Sequence, residues 1–181
     1  GTNTTTGCVN SGTATVTVTP LDDASFTTTD FCFGAAGSIP VVSGLAGGSF
    51  ALNPNPGAPV SINPATGVIS GGLSGATYTV EYTTNGACPQ FSTQTVTVNP
   101  LPNVLANDVS GCIGGSVNIT ASGATTYSWD NGLGAGQTQN VSPAVTTNYT
   151  VTGTDGNGCV NTDVITVTVM ASAPINAGPD V

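Results

Sequence analysis

The chain lacks lysine, arginine and histidine altogether, and only 5% of its 181 residues carry a charge. All nine charged residues are aspartate or glutamate, so the net charge at pH 7 is -9. Nucleic acids and anionic membrane surfaces are bound mainly through lysine and arginine side chains. The composition therefore excludes both as partners.

Sequence signals for catalysis and for membrane insertion are also missing. No stretch approaches the roughly 20 apolar residues that a transmembrane helix requires, and no P-loop, zinc or catalytic-triad signature occurs. No serine or cysteine has a histidine or lysine that could activate it as a nucleophile. We therefore expect a protein that is not an enzyme and holds no cofactor, with calcium as the one ion to consider.

The sequence does contain a repeat anchored on cysteine. Cys8, Cys88 and Cys159 are each followed by valines eight and ten residues later. The valine pairs are Val16/Val18, Val96/Val98 and Val167/Val169. Such self-similarity indicates a tandem array of one small module.

Alternating apolar and polar residues predict β-strands within each repeat. Residues 13–19, 93–99 and 163–169 place valine or isoleucine on one face and mostly threonine on the other, which is typical of a strand with one side on a core. Turn sequences such as Asn131-Gly132 separate these runs. We therefore predict an all-β fold of tandem immunoglobulin-like β-sandwich domains.

Prolines mark the boundaries between modules, because proline removes a donor from the strand ladder. Pro20 and Pro100 follow nearly identical strand ends, and Pro102 and Pro174 begin similar leading strands. The predicted units are the C-terminal strand of a preceding repeat at 1–19, complete repeats at 20–100 and 101–170, and the first strand of a following repeat at 171–181.

Five cysteines in a chain without histidine indicate disulfides, and hence an oxidising, extracellular setting. We predict one bridge within each complete repeat, Cys32 with Cys88 and Cys112 with Cys159, because each repeat is small enough to need a covalent staple. Cys8 corresponds to Cys88 and Cys159, and its expected partner lies upstream, outside this sequence; the alternative is a reactive or intermolecular thiol.

Three aspartates could bind calcium, which prefers oxygen ligands. Asp22 and Asp23 follow a linker and could form a site between modules, and the alternative is a solvated linker with a turn-forming aspartate. Asp155 begins an Asp-Gly-Asn-Gly sequence that resembles the start of a calcium loop. The closing ligands of such a loop are missing, and a tight hairpin turn is the alternative.

Aromatic residues offer a second kind of candidate site. Tyr127 and Trp129 alternate along a predicted strand, so both side chains point to one face. They could form a sugar-stacking platform with Asp130, and packing in the sandwich core is the alternative. Tyr78 and Tyr149 are expected to be core tyrosines, each with a buried ring and one hydroxyl hydrogen bond.

Rows of threonine on the polar strand faces suggest another binding mode. Hydroxyl and methyl groups spaced about 7 Å apart along a strand could match ice or a polysaccharide. The alternative is a strand that simply shows its polar face to water.

Two longer patterns resemble a known family. Residues 112–129 (CIGGSVNITASGATTYSW) and 147–159 (TNYTVTGTDGNGC) are similar to immunoglobulin-like and PKD-like repeats of giant Bacteroidota cell-surface proteins. That family includes the SprB-type gliding adhesins and other cargo of the type IX secretion system. A second repeat type in the same proteins resembles this chain at residues 23–27, 31–32, 62–69 and 78–84.

The resemblance implies a non-catalytic structural segment of a long extracellular adhesin, stalk or filament on a bacterial surface. The expected partners are neighbouring repeats of the same chain or fibre, and surface polysaccharide is a further candidate. The incomplete repeats at both ends would either continue covalently or dock on another chain by strand addition. A carbohydrate- or ice-binding module that uses threonine faces and exposed aromatics is the alternative function.

Overall fold

The computed structural model of the protein describes residues 12–171. Within this range all sixteen elements of regular secondary structure are β-strands. No helix that could cross a membrane occurs among these residues. Buried apolar side chains form two separate cores, one between Ala24 and Val98 and one between Val104 and Val167. The predicted all-β fold of immunoglobulin-like sandwiches is confirmed.

The first sandwich is built from short strands around one longer hairpin. Its strands are β1 (Phe26–Thr27), β2 (Phe31–Cys32), β3 (Val41–Val42), β4 (Ser49–Leu52), β5 (Ser61–Ile62), β6 (Ile69–Ser70), β7 (Thr77–Thr83) and β8 (Phe91–Asn99). One sheet has the order β2-β8-β7-β4, and the pairs β1-β3 and β5-β6 contribute to the same core. An antiparallel bridge from Ser38 to Ile69 connects the segment before β3 with β6.

The second sandwich has longer strands. They are β9 (Leu105–Ala106), β10 (Val109–Cys112), β11 (Val117–Ser122), β12 (Thr126–Trp129), β13 (Gly134–Ala135), β14 (Thr138–Val141), β15 (Thr147–Thr154) and β16 (Val160–Met170). The larger sheet has the order β10-β16-β15-β12-β13, and the smaller sheet has the order β14-β11-β9. The β15-β16 hairpin pairs eight residues on each strand.

The alternation seen in the sequence sets which side chains enter each core. In β8, Val96 and Val98 are buried while Thr95 faces the solvent. In β16, Ile165 and Val167 are buried in the same way. Successive side chains of a strand point to opposite faces, so these residues pack inward while their neighbours lie on the outer face.

A short parallel edge strand completes the larger sheet of each sandwich. β2 pairs with the end of β8, where Cys32 lies opposite Asn99. β10 pairs with the end of β16, where Cys112 lies opposite Met170. Every other strand pair within residues 12–171 is antiparallel. The parallel pairing therefore places Cys32 and Cys112 where the last strand of each sandwich ends.

The segment before the first sandwich differs from its prediction. The alternation at 13–19 predicts a strand, but residues 12–20 form none, and Val16 and Val18 are 84% and 85% exposed. A strand requires a partner for its backbone groups, and no described strand pairs with this segment. The strand predicted at 171–181 lies outside the described residues, apart from Ala171. Cys8, for which a partner upstream was predicted, also lies outside them.

Candidate functional site at the junction of the two sandwiches

A disulfide between Cys32 and Cys159 joins the first sandwich to the second. The two residues are 127 positions apart in sequence, and their Cα atoms are 5.5 Å apart, a normal separation for a disulfide. Cys32 ends β2, and Cys159 directly precedes β16. We call this disulfide and the linker at residues 99–103 the junction.

The predicted bridges within each repeat, Cys32 with Cys88 and Cys112 with Cys159, are therefore wrong. Cys32 lies beside the end of β8, whereas Cys88 precedes the start of that strand. At about 3.3 Å per residue, the length of β8 separates these two positions by roughly 26 Å. The same geometry applies to Cys112 and Cys159 along β16, while disulfide geometry requires Cα atoms within about 7 Å. Cys88 and Cys112 carry free thiols.

Local hydrogen bonds hold Cys32 at the end of its sandwich. The Asp30 carboxylate accepts the Thr97 N–H at 2.8 Å just before β2 begins. After Cys32, the Phe33 N–H donates to the Asn99 carbonyl at 2.8 Å. These bonds on either side of β2 fasten it to the last strand, so the cysteine projects where that strand leaves the sheet.

A tight turn holds Cys159 at the opposite end of the second sandwich. One carboxylate oxygen of Asp155 accepts the N–H groups of Asn157 and Cys159, both at 2.9 Å. The Asp155 N–H donates to the Cys159 carbonyl at 3.0 Å, and Gly158 adopts a φ of 79°. An aspartate that bonds to backbone N–H groups ahead of it stabilises such a turn. This arrangement matches the hairpin alternative for Asp155.

The linker is the only other covalent connection between the sandwiches in the part of the chain that the structure describes. Its sequence, Asn-Pro-Leu-Pro-Asn, contains two prolines, which restrict backbone rotation. The Asn161 amide donates to the Pro102 carbonyl at 2.9 Å and anchors the linker to the second sandwich. Among the described residues no hydrogen bond joins residues 12–98 to residues 104–171, and the disulfide is a second covalent tether between the two bodies.

The calcium candidates are not brought together. Asp22 accepts the Thr84 hydroxyl at 2.9 Å beside the last turn of the first sandwich, and Asp155 lies in the second sandwich. Asp23 accepts the Ser25 N–H at 2.9 Å, and bonds from the Ser25 hydroxyl and N–H lower the pKa of Asp23 below its ordinary value of 3.8. Within residues 12–171 no three acidic or thiol side chains form a metal-binding group. Calcium binding stays an untested prediction.

The aromatic candidates have separate roles. Trp129 is 4% exposed in the core of the second sandwich, and its Nε1–H donates to the Gly136 carbonyl at 2.9 Å. Tyr127 is half-buried, and its hydroxyl bonds to the backbone of Ala124. Asp130 is exposed. Trp129 therefore follows the core alternative, and a stacking platform that includes it is wrong.

A surface cavity of about 300 Å³ lies beside Tyr127. It is lined by Thr125, Thr126, Tyr127, Ala135, Gly136 and Gln137. None of these side chains is charged, and Tyr127 is the only aromatic ring among them. The cavity therefore lacks the charged or paired aromatic groups that would single out a ligand.

The two core tyrosines differ in their hydrogen bonds. The half-buried Tyr78 hydroxyl accepts the Leu73 N–H at 2.9 Å, as predicted. Tyr149 is buried, but its hydroxyl makes no hydrogen bond with the described residues. Tyr82 is buried and its hydroxyl makes two hydrogen bonds. It donates to the Leu45 carbonyl at 2.6 Å and accepts the Gly48 N–H at 2.9 Å.

The threonine rows are partly engaged with one another. Thr77 and Thr97 form a hydroxyl pair at 3.1 Å across β7 and β8. Thr120 and Thr138 form another at 3.0 Å across β11 and β14. Cross-strand threonine pairs of this kind stabilise a sheet. With Trp129 buried, the binding-module alternative keeps its threonine faces but loses its main aromatic group.

Two aspartates that fasten the parallel edge strands were not among the functional residues predicted from the sequence. Asp30 precedes β2 and accepts the Thr97 N–H, and Asp108 precedes β10 and accepts the Thr166 N–H at 2.7 Å. Each carboxylate satisfies a donor of the last strand where the parallel edge strand begins. The signal was an aspartate placed shortly before the first cysteine of each complete repeat, at Asp30 and Asp108.

The strand order and the parallel edge strands define the chain as tandem immunoglobulin-like sandwiches linked by a junction disulfide. No protein-family model matches the chain, and the search of curated proteins also finds no match.

Solved structures found to be similar to the chain share little sequence with it. The fibronectin(III)-like modules of Clostridium thermocellum CbhA are 13% identical over 81% of this chain and 95% of theirs, with a TM-score of 0.42. DIP-gamma IG1+IG2 is 9% identical over 83% and 98%, with a TM-score of 0.38. Mouse Cadherin-23 EC22-24 is 19% identical over 83% and 65%, with a TM-score of 0.34. The fold assignment rests on the strand order of the chain itself.

Proposed function

We propose that this chain is a non-catalytic structural segment of a long extracellular adhesin, stalk or filament on a bacterial surface. The observation that carries the proposal is the Cys32–Cys159 disulfide, which joins consecutive sandwiches instead of bracing one of them. The setting of a Bacteroidota surface protein exported by the type IX pathway is supported by the sequence resemblance alone.

The physical role of this disulfide is to limit motion between repeats. A single peptide linker lets two domains swing about it, so relative domain motion is the default for small interfaces. A second covalent tether at the same end removes most of that swing, because the two bodies are then held at two points. Disulfides persist in oxidising surroundings, which supports an extracellular location.

The carboxylates also favour a structural role. Seven of the eight in the described residues accept hydrogen bonds from the chain itself: Asp22, Asp23, Asp30, Glu81, Asp108, Asp155 and Asp163. Groups held in this way stabilise turns and strand ends. Glycoside hydrolysis needs two carboxylates that face a shared substrate space. Five of these seven are bonded to backbone N–H groups, and Asp22 and Glu81 are bonded to the side chains of Thr84 and Asn53.

The test compares Cys32→Ser with Cys112→Ser in the unreduced chain by small-angle X-ray scattering. Cys112→Ser is the matched control, because that residue ends the corresponding strand but carries a free thiol. We expect Cys32→Ser to broaden the distribution of distances between the sandwiches, while Cys112→Ser leaves the parent profile unchanged. Trp129 fluorescence checks that the second sandwich stays folded. An unchanged profile for Cys32→Ser would overturn the proposal.

A further inference from the structure

Cys112 occupies the position in the second sandwich that Cys32 occupies in the first. Each residue ends the parallel edge strand beside the end of the last strand. The next residue donates its N–H across to that strand, from Phe33 to Asn99 at 2.8 Å and from Ile113 to Met170 at 3.0 Å. Each cysteine carbonyl then accepts an N–H three residues later, from Ala35 at 3.0 Å and from Gly115 at 2.9 Å.

Cys88 occupies a position that corresponds to that of Cys159. Both residues lie in the turn between the last two strands of their sandwich. The chain that enters the first sandwich passes this turn, because the Asp22 N–H donates to the Cys88 carbonyl at 3.1 Å and the Cys88 thiol donates to the Thr19 carbonyl at 3.7 Å. The junction linker passes just beyond the Cys159 turn, where the Asn161 amide in β16 donates to the Pro102 carbonyl at 2.9 Å.

The described residues contain one complete junction, and there these two positions are bonded. Cys159 is fully buried in that junction. Cys88 is half-buried and Cys112 is exposed, and both carry free thiols. Ile113 is 57% exposed, and the corresponding Phe33 in the complete junction is 46% exposed. Each free thiol therefore lies at a sandwich end that has the form of one half of a junction.

From this correspondence we infer that Cys88 and Cys112 are the half-cystines of two further junctions, with flanking repeats of the same polypeptide as partners. Cys112 bonds to the cysteine in the last turn of the repeat that follows. Cys88 bonds to the edge-strand cysteine of the repeat that precedes. The inference rests on the proposed structural function and extends it from one disulfide to a continuous series, with one bond at every junction.

The chemistry of each bond is thiol-disulfide exchange. Two cysteine thiols lose two protons and two electrons as the new sulfur-sulfur bond forms. A small external disulfide of the glutathione type accepts them and is reduced to two thiols, through a mixed-disulfide intermediate. The exposed Cys112 thiol is accessible for the first exchange step.

The test is a disulfide map of the polypeptide isolated without reduction from the organism that makes it. Free thiols are first alkylated with iodoacetamide, and the protein is then cut after aspartate and glutamate. This cleavage leaves the four described cysteines on separate peptides, which span residues 31–81, 82–108, 109–130 and 156–163. We expect the peptides of Cys88 and Cys112 to be unalkylated and bonded to cysteine peptides from flanking repeats.

Alkylated Cys88 or Cys112 would overturn the inference. A bond between these two residues, a bond from Cys88 to Cys8, or a bond to another protein would overturn it equally. The proposed function has its own readout in the same digest, the linkage of peptide 31–81 to peptide 156–163. The inference and the proposed function can therefore fail independently.

Discussion

The two sandwiches share a strand order around the last hairpin but fill their cores differently. Five of the eight strands in the first sandwich have only two residues, against two of eight in the second. The first core is rich in aromatic rings, contributed by Phe26, Phe31, Phe50 and Tyr82, whereas the second combines aliphatic side chains with Trp129 and Tyr149. Short strands provide few ladder hydrogen bonds, so the first sandwich depends more on ring packing.

What the two sandwiches have in common lies at their ends. Each has a parallel edge strand that ends in cysteine, an aspartate that fastens this strand, and a last turn that contains cysteine. A core can be rebuilt from different residues as long as its volume and pattern are kept. The shared features lie at the sandwich ends, which is where the Cys32–Cys159 disulfide joins the two sandwiches.

Replacing Phe50 with alanine should give the largest loss of stability. Its ring lies 4.6 Å from that of Tyr82 and 5.6 Å from that of Phe26, measured between centroids. We expect the first sandwich to lose about 3–5 kcal/mol, as for other buried Phe→Ala changes. Urea unfolding followed by circular dichroism measures this loss. Trp129 is the only tryptophan, so its fluorescence reports on the second sandwich and should keep its midpoint.

Phe91→Ala is the matched control in the same sandwich. Phe91 is 67% exposed, and a surface substitution of this kind should change stability by no more than about 0.5 kcal/mol. If Phe50→Ala also moved the Trp129 transition, the two sandwiches would unfold as one unit and the comparison between separate cores would fail.

Removing a tyrosine hydroxyl should destabilise the first sandwich more than the second. Tyr82→Phe leaves the Leu45 carbonyl and the Gly48 N–H without their partner, which should cost about 1–3 kcal/mol. Tyr149→Phe, in the second sandwich, removes a hydroxyl without a bond among the described residues and should be nearly neutral. Unfolding midpoints of both variants measure the difference, and equal losses would contradict it.

Much of the fold could be predicted from alternation, because a strand with one buried face must place apolar residues at every second position. The last strands, the burial of Val96 and Val167, and the core position of Trp129 follow from this rule. A shift of two residues leaves the rule unchanged. The structure pairs Tyr78 with Val96 but Tyr149 with Ile165, a difference in register that the cysteine-to-valine spacing could not reveal.

The disulfide could not be predicted for a related reason. Alternation shows which face of a strand is buried, but it does not show whether an edge strand runs parallel or antiparallel to its neighbour. It also does not show where along β8 the short strand β2 pairs, and pairing at the start of β8 would place Cys32 close to Cys88. The parallel pairing observed places Cys32 at Asn99 instead, so the same residues bond across the junction.

Asp155→Ala should give a smaller loss, confined to the second sandwich. The change removes the acceptor for two backbone N–H groups of the turn that carries Cys159. By analogy with the loss of a capping side chain, we expect a cost of about 1–2 kcal/mol, read from the Trp129 unfolding midpoint. Asp130→Ala is the control, because Asp130 is exposed and its side chain makes no hydrogen bond within residues 12–171.

The smallest expected effect is a loss of stability in acid that arises at Asp23, where the chain enters the first sandwich. Hydrogen bonds from Ser25 hold the pKa of Asp23 below its ordinary value of 3.8. A carboxyl group with a depressed pKa contributes stability above that ordinary value and loses it as the pH falls through the lower, folded value. Ser25→Ala removes the hydroxyl donor but keeps the backbone N–H, so the pKa of Asp23 should rise only part of the way, as measured by NMR titration of its carboxyl carbon. The linker that enters the second sandwich has no carboxylate, and the Trp129 signal should therefore be unaffected by Ser25→Ala over the same pH range.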